Sequence, residues 1–252
     1  MAEITCISPI DGSIVARRTT ASGAEIDAAL ASARTAQKEW ARVPVADRAA
    51  FMLRFLEAMR AANPEIVPEL ARQMGRPVRY GGEFRSLEER VTYMVGIAAD
   101  ALAPVVPEPK AGFRRQVRRD PLGVVFTIAP WNYPFLTAVN TIVPGLMAGN
   151  AVILKAASQT ILTGERFEAA MRKAGLPKGL FRNLALTHED TQRILAAGAI
   201  DHVSFTGSVE GGRAVERAAA GTFTSIGLEL GGKDPAYVRA DAKLEHAIEN
   251  TV

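Results

Sequence analysis

From residue 124 onward, short apolar runs alternate with stretches of helical length, and that alternation leaves few folds open. The runs are Val124–Ile128, 151–154, 181–186, 202–205 and Ser225–Leu230. Runs of Val, Ile, Leu and Phe without polar alternation suit strands buried on both faces, and strands separated by helices imply a parallel sheet with helical crossovers. The reading is therefore an α/β fold, a Rossmann-like parallel sheet with helical crossovers. In such sheets ligands bind beyond the carboxyl ends of the strands, so the residues there carry the functional question.

The preceding half of the chain reads as a hairpin followed by helices. Residues 4–15 surround the turn Asp11-Gly12-Ser13, a hairpin signal. Ser22 and Glu25 form a capping box ahead of Ile26, Ala29, Leu30, Ala33, Gln37 and Trp40 at helical spacing. Pro44 opens a second helix expected to stop at Asn63-Pro64, a third ends at Gly75, and a fourth covers 82–102. The Pro-rich segment 104–112 reads as a connector. Residues 114–119 hold four arginines and are expected as an exposed edge strand. A last helix is expected from about Asp241.

Composition narrows the class of function. With 48% apolar and 23% charged residues among 252, a full hydrophobic core is feasible. A net charge of +3 is too weak to point to nucleic acid, yet it does not repel a phosphate-rich cofactor. Cys6 is the single cysteine, so an intramolecular disulfide is excluded and a reducing compartment fits. The start of the chain lacks the pattern of a signal peptide, and the longest apolar run, 122–131, is too short to span a bilayer. A cytoplasmic protein without a membrane partner is expected. His188, His202 and His246 show no metal-ligand spacing, so no metal is expected.

Four strand ends carry chemistry. The first is Ala129-Pro130-Trp131-Asn132-Tyr133-Pro134, where two prolines stiffen a loop that presents an amide. Asn132 could donate to a developing oxyanion or simply cap the next helix. The second is Lys155, followed by Ala156-Ala157-Ser158, where an ammonium could meet a ribose hydroxyl or a phosphate, or mark only where a strand meets water. The third, Phe205-Thr206-Gly207-Ser208-Val209-Glu210-Gly211-Gly212, opens a helix whose N–H groups could face phosphates, though it is not G-x-G-x-x-G. A plain helix-start turn is the alternative. The fourth is Leu228-Glu229-Leu230-Gly231-Gly232-Lys233. A carboxylate between leucines is costly to bury unless hydrogen-bonded or functional, and desolvation suits a general base. An ion pair with Lys233 is the alternative.

In this order, Pro130-Trp131-Asn132-Tyr133-Pro134, Gly149-Asn150-Ala151-Val152-Ile153-Leu154-Lys155, Phe205-Thr206-Gly207-Ser208 and Leu228-Glu229-Leu230-Gly231-Gly232-Lys233 resemble the aldehyde dehydrogenase superfamily. Ser8-Pro9-Ile10-Asp11-Gly12 and Ala46-Asp47-Arg48 are similar to it as well. The resemblance implies oxidation of an aldehyde, a small-molecule substrate, to a carboxylic acid with NAD or NADP. A cysteine thiolate would attack the aldehyde, and activated water would hydrolyse the thioester. It implies Asn132 as oxyanion donor and Glu229 as the base for that water. Lys155 would hold the adenosine ribose, and Pro130 and Trp131 would line the cofactor cleft. Gly207, Ser208 and Gly212 would open the cofactor-facing helix, with Leu230 and Gly231 beside it.

The resemblance also implies a division of the chain. Residues 1–111 and 123–231 would form the cofactor-binding domain, 112–122 an edge strand of the segment through which the full-length form makes a homo-oligomer, and 232–252 the start of the catalytic domain. Two departures follow. Ser158 stands where NAD-preferring members often carry a glutamate, which removes repulsion against a 2′-phosphate and leads us to expect NADP to be accepted. The family's nucleophilic cysteine lies beyond the Glu229 motif, so this chain is expected to lack it and to be inactive alone. The Lys155-to-Ser158 pattern leads us to expect a semialdehyde as substrate. A non-catalytic nucleotide-binding or interaction protein, or a gene fragment, is the alternative.

Overall fold

The computed structural model describes residues 2–251. Strands β1 (Glu3–Ile7) and β2 (Ile14–Thr19) pair antiparallel. The Asp11 carboxylate closes their turn by accepting from the Ser13 N–H at 3.0 Å and from its hydroxyl at 2.8 Å. Helix α1 (Gly23–Trp40) starts at the expected capping box, with Glu25 N–H on Ser22 Oγ at 3.3 Å and Ser22 N–H on Glu25 Oε2 at 2.8 Å. Its far end is tied to the core by Trp40 Nε1, which donates to the Leu146 carbonyl at 2.8 Å.

Helix α2 (Val45–Met74) overturns one expectation. It runs through Asn63-Pro64 and through Pro68, merging the two helices expected there. Each proline removes a backbone donor and normally breaks a helix. Here Ile66 and Leu70 are buried on the far side of Pro64, and Arg166 bridges Glu65 at 2.7 Å and also pairs with Glu69. Tertiary packing outweighs the local signal. The helix stops where expected, at Gly75, whose φ of +78° is a left-handed cap. Helix α3 (Phe84–Leu102) follows.

Beyond it, residues 103–120 are all exposed. The edge strand expected over 112–122 does not form as a ladder. Its backbone makes only isolated antiparallel bridges, Val105 with Val117 and Lys110 with Phe113. Four arginines without an apolar face give such a segment nothing to bury against a sheet.

The main sheet matches the reading. Strands β3 (Val124–Ile128), β4 (Ala151–Lys155), β5 (Phe181–Asn183), β6 (His202–Gly207) and β7 (Ser225–Leu230) are all parallel, in the order β5-β4-β3-β6-β7. Helices α4 (Pro134–Met147), α5 (Leu162–Lys173), α6 (His188–Ala196) and α7 (Val209–Ala219) make the crossovers. Every residue of β3 and β4 is buried, which explains their unbroken apolar runs. β5 is shorter than its apolar run, because after Leu184 the chain turns into the Thr187–Asp190 capping box of α6. Helix α8 (Leu244–Thr251) closes the described chain. The core gathers Phe55 and Met59 of α2, Phe126, Ile153 and Leu146 with the rings of Phe135 and Phe167, whose centroids lie 5.4 Å apart. Among the described residues, no helix is long and apolar enough to cross a membrane.

Candidate active site

The strand order reverses between β3 and β6. The chain builds outward from β3 through β4 to β5, then returns to place β6 on the other side of β3. At such a switch point the loops leaving the two strands part in opposite directions and open a crevice for a ligand. The loop from β3 begins with Ala129 and Pro130, and that from β6 ends at Ser208. Lys155 ends β4, paired in register with Ile128, while Glu229 and Leu230 end β7 opposite Thr206 and Gly207. The fold therefore collects the expected site residues along one edge of one sheet.

The β3 loop is held by groups the sequence reading missed. Asn132 does not cap α4, whose N-cap is Tyr133 without a side-chain cap bond. Its Oδ1 instead accepts from the Tyr133 N–H at 3.1 Å, and the side chain is exposed. The cap comes from Glu83, just ahead of α3, whose Oε2 accepts from Leu136 N–H at 2.6 Å at the start of α4. Arg76 pairs with Glu83 at 2.9 Å, donates to the Asn132 carbonyl at 2.7 Å, and lies over the Tyr133 ring at 4.7 Å. Burial pushes the Glu83 carboxyl above its ordinary pKa, against the opposing pull of the Leu136 N–H and Arg76. Sequence separation of about fifty residues hides this clamp, and only a buried carboxylate ahead of a helix hints at it.

Lys155 departs from an ordinary strand end. It is 6% exposed, and no hydrogen bond or ion pair holds its ammonium among the described residues. Desolvation lowers its pKa from the usual lysine value. Ser158 is exposed and opens the 3-10 turn Ser158–Thr160. At α7 the hydroxyl of Ser208 accepts from Gly211 N–H at 3.0 Å, so it caps the helix. Gly212 serves packing as well: a Cβ there would stand 2.5 Å from Leu230 Cδ2. Gly207 likewise leaves room for the Phe205 ring, 2.7 Å from such a Cβ. Gly231, at φ +62°, donates to the Gly207 carbonyl at 2.9 Å and turns the chain off the sheet.

Glu229 corrects the sequence reading. β7 is the edge strand on its side, and both Glu229 and Leu230 are exposed rather than buried. Burial would need a layer packed on that edge, which the described residues do not supply. Nor does Glu229 pair with Lys233; neither takes part in any salt bridge among the described residues. Cys6 lies outside the site. It is fully buried in β1, its thiol donates to the Gln159 carbonyl at 3.0 Å, and burial raises its pKa. Among the described residues no group of three metal-ligating side chains comes together.

A doubly wound parallel sheet with a stiffened amide loop, a lysine that no described group pairs with and a helix start at the carboxyl ends of its strands defines a Rossmann-like α/β protein. Comparison with known proteins makes the class specific. The chain belongs to the aldehyde dehydrogenase family, whose family model matches residues 1–252. It is 37% identical over 241 residues to N-succinylglutamate 5-semialdehyde dehydrogenase 1 of Caulobacter vibrioides, covering 95% of this chain and 51% of that protein. It is 33% identical over 245 residues to the NAD(+) benzaldehyde dehydrogenase of Pseudomonas putida, covering 96% of this chain and 50% of that protein. The crystal structure of an NAD-dependent benzaldehyde dehydrogenase from Corynebacterium glutamicum superposes with a TM-score of 0.90 at 31% identity, over 98% of this chain and 55% of that one. The chain thus spans about half the length of the relatives it matches.

Proposed function

We propose that these residues form the cofactor-binding half of an enzyme that oxidises an aldehyde to a carboxylic acid with NAD or NADP. One aldehyde, one water and one oxidised cofactor give the acid, the reduced cofactor and a proton. The observation that carries this reading is Lys155, a lysine 6% exposed at the carboxyl end of β4 whose ammonium has no hydrogen-bond or ion-pair partner among the described residues. A ligand bearing hydroxyl and phosphate oxygens would relieve that desolvated charge, which is the fit expected of a dinucleotide. Bound there, the cofactor would supply the hydride acceptor.

The chain's own residues divide the remaining work. Lys155 and Ser158 hold the ribose end, and the α7 start, with Gly207, Ser208 and Gly212, faces the pyrophosphate. Pro130, Trp131, Leu230 and Gly231 line the cleft. Asn132 donates its free amide N–H to the developing oxyanion, a contribution worth about 10²–10³ in rate. Glu229 takes the proton from the attacking water. Its exposure here means that its catalytic environment comes from whatever packs on the β7 edge. Cys6 is not the nucleophile, because a buried thiol held on Gln159 is neither accessible nor activated.

The absence of a carboxylate at Ser158 supports acceptance of NADP alongside NAD, and the similarity to a semialdehyde dehydrogenase supports a semialdehyde as substrate. We also propose that residues 1–111 with 123–231 act as one cofactor-binding unit and 232–252 as the start of a catalytic one. Segment 112–122 would join copies of the full-length form, and the protein would reside in the cytoplasm, where the Cys6 thiol stays reduced.

Titration of NADH and NADPH into the 252-residue chain, with aldehyde-dependent reduction followed in parallel, tests this. Saturable binding of both, lost in Lys155→Met, without turnover is the expected result. Binding of NADH alone refutes the NADP reading. Failure of both to bind refutes the site, and turnover at enzyme-like rates that vanishes in Cys6→Ala reassigns the nucleophile.

A further inference from the structure

At the opposite end of the sheet, where β3 and β4 begin, a cavity of about 500 Å³ opens beside the start of α2. Its wall includes Pro121 and Ala148, just ahead of those strands, so it is separate from the crevice at their carboxyl ends. Arg48 lines it. That side chain is 7% exposed, and its Nε and Nη1 are buried without any acceptor. A guanidinium cannot shed its charge as a lysine or a carboxylate can, so an orphan of this kind calls for a counter-ion.

The surroundings select the sign and the kind of counter-ion. Lys38, Arg42, Arg118 and Arg119 share the wall with a single acid, Asp120. Asp120 is already engaged by Arg118 at 2.8 Å, and Arg42 pairs with Glu39 at 2.9 Å. Lys38 and Arg119 join no salt bridge among the described residues, so with Arg48 they leave an excess of positive charge around the cavity. Val45, the first residue of α2, also lines it, and α2 has no side-chain cap because its N-cap is Pro44. A long uncapped helix start adds free N–H groups and the positive end of the helix dipole. Gly149 leaves room for the guanidinium: at φ +91°, a Cβ there would stand 2.5 Å from Arg48 Nη1.

We propose that this cavity binds a small phosphate-type oxyanion, with Arg48 as its central donor and Lys38 and Arg119 at the rim. The site lies away from the aldehyde-oxidising edge and does not depend on that reading. An anion here ties α2 to the loop ahead of β3, and so braces the exposed 103–120 segment against the body of the protein.

The test is calorimetric titration of inorganic phosphate into the 252-residue chain, in phosphate-free buffer at constant ionic strength. A single saturable site is expected, weakened about tenfold or more in Arg48→Met. Arg48→Met removes an unpaired buried charge and should fold at least as well as the parent. Should it fail to fold, the exposed rim variant Arg119→Gln decides, and it too must weaken binding. Saturating NADH must leave the phosphate signal intact. No saturable binding, equal affinity in parent and variants, or competition by NADH each overturns the proposal. So does a dimer that breaks in Arg48→Met without any phosphate signal, which would make the counter-ion a carboxylate from a second copy.

Discussion

Lys155 carries a positive charge into the end of a strand that is buried on both faces. Desolvation lowers its pKa, so the folded chain releases this proton at lower pH than the unfolded chain. Below the folded value both states are charged and the full penalty applies. As pH rises through the folded value the penalty fades, and it is gone near the ordinary lysine value of about 10.4. Stability should therefore gain a rising component over that window, and Lys155→Met should remove it while unfolding no earlier at neutral pH. Urea midpoints measured across that pH range for both proteins check this; parallel curves would show that Lys155 is solvated. Glu229 marks where reading by residue failed. Flanking leucines signal burial only if both faces of a strand are covered, and in β7 they are not. Its place at a strand end was legible, its environment was not.

The clamp of Arg76 and Glu83 joins two elements: the turn between α2 and α3, and the loop from β3 into α4. It replaces a local helix cap with a distant carboxylate, so the loop carrying Asn132 is only as firm as that contact. Glu83→Gln keeps the shape but removes the charge that faces both Arg76 and the α4 start. We expect amide exchange at Phe135 and Leu136 to speed up by about tenfold or more, with β4 unchanged. Uniform exchange across the chain would show that the clamp merely adds global stability. Strands β3 and β4 were legible because two-face burial writes unbroken apolar runs into the sequence. The α2 prolines and the clamp were not, since each is decided by side chains far away in the chain.

On the scale of the molecule, the apolar surface is uneven. Phe223, Tyr237, Val238, Leu244 and Ile248 are exposed, as is Leu230 on the β7 edge. An open strand edge with apolar neighbours favours association. The 252-residue chain in isolation should self-associate in light scattering, increasingly so with concentration. A monodisperse monomer at every concentration would refute this.

The strand order also sets a timetable for synthesis. Of the main sheet, the central strand β3 leaves the ribosome first, β4 and β5 extend the sheet on one flank, and only then do β6 and β7 fill the other. A nascent chain that has reached β5 has three of the five strands, with the β3 edge that β6 will occupy still bare. The crevice lies on that same edge. It therefore comes into being late, when β6 docks, and a pause in translation before His202 would leave a chain that has its central strand but not the crevice.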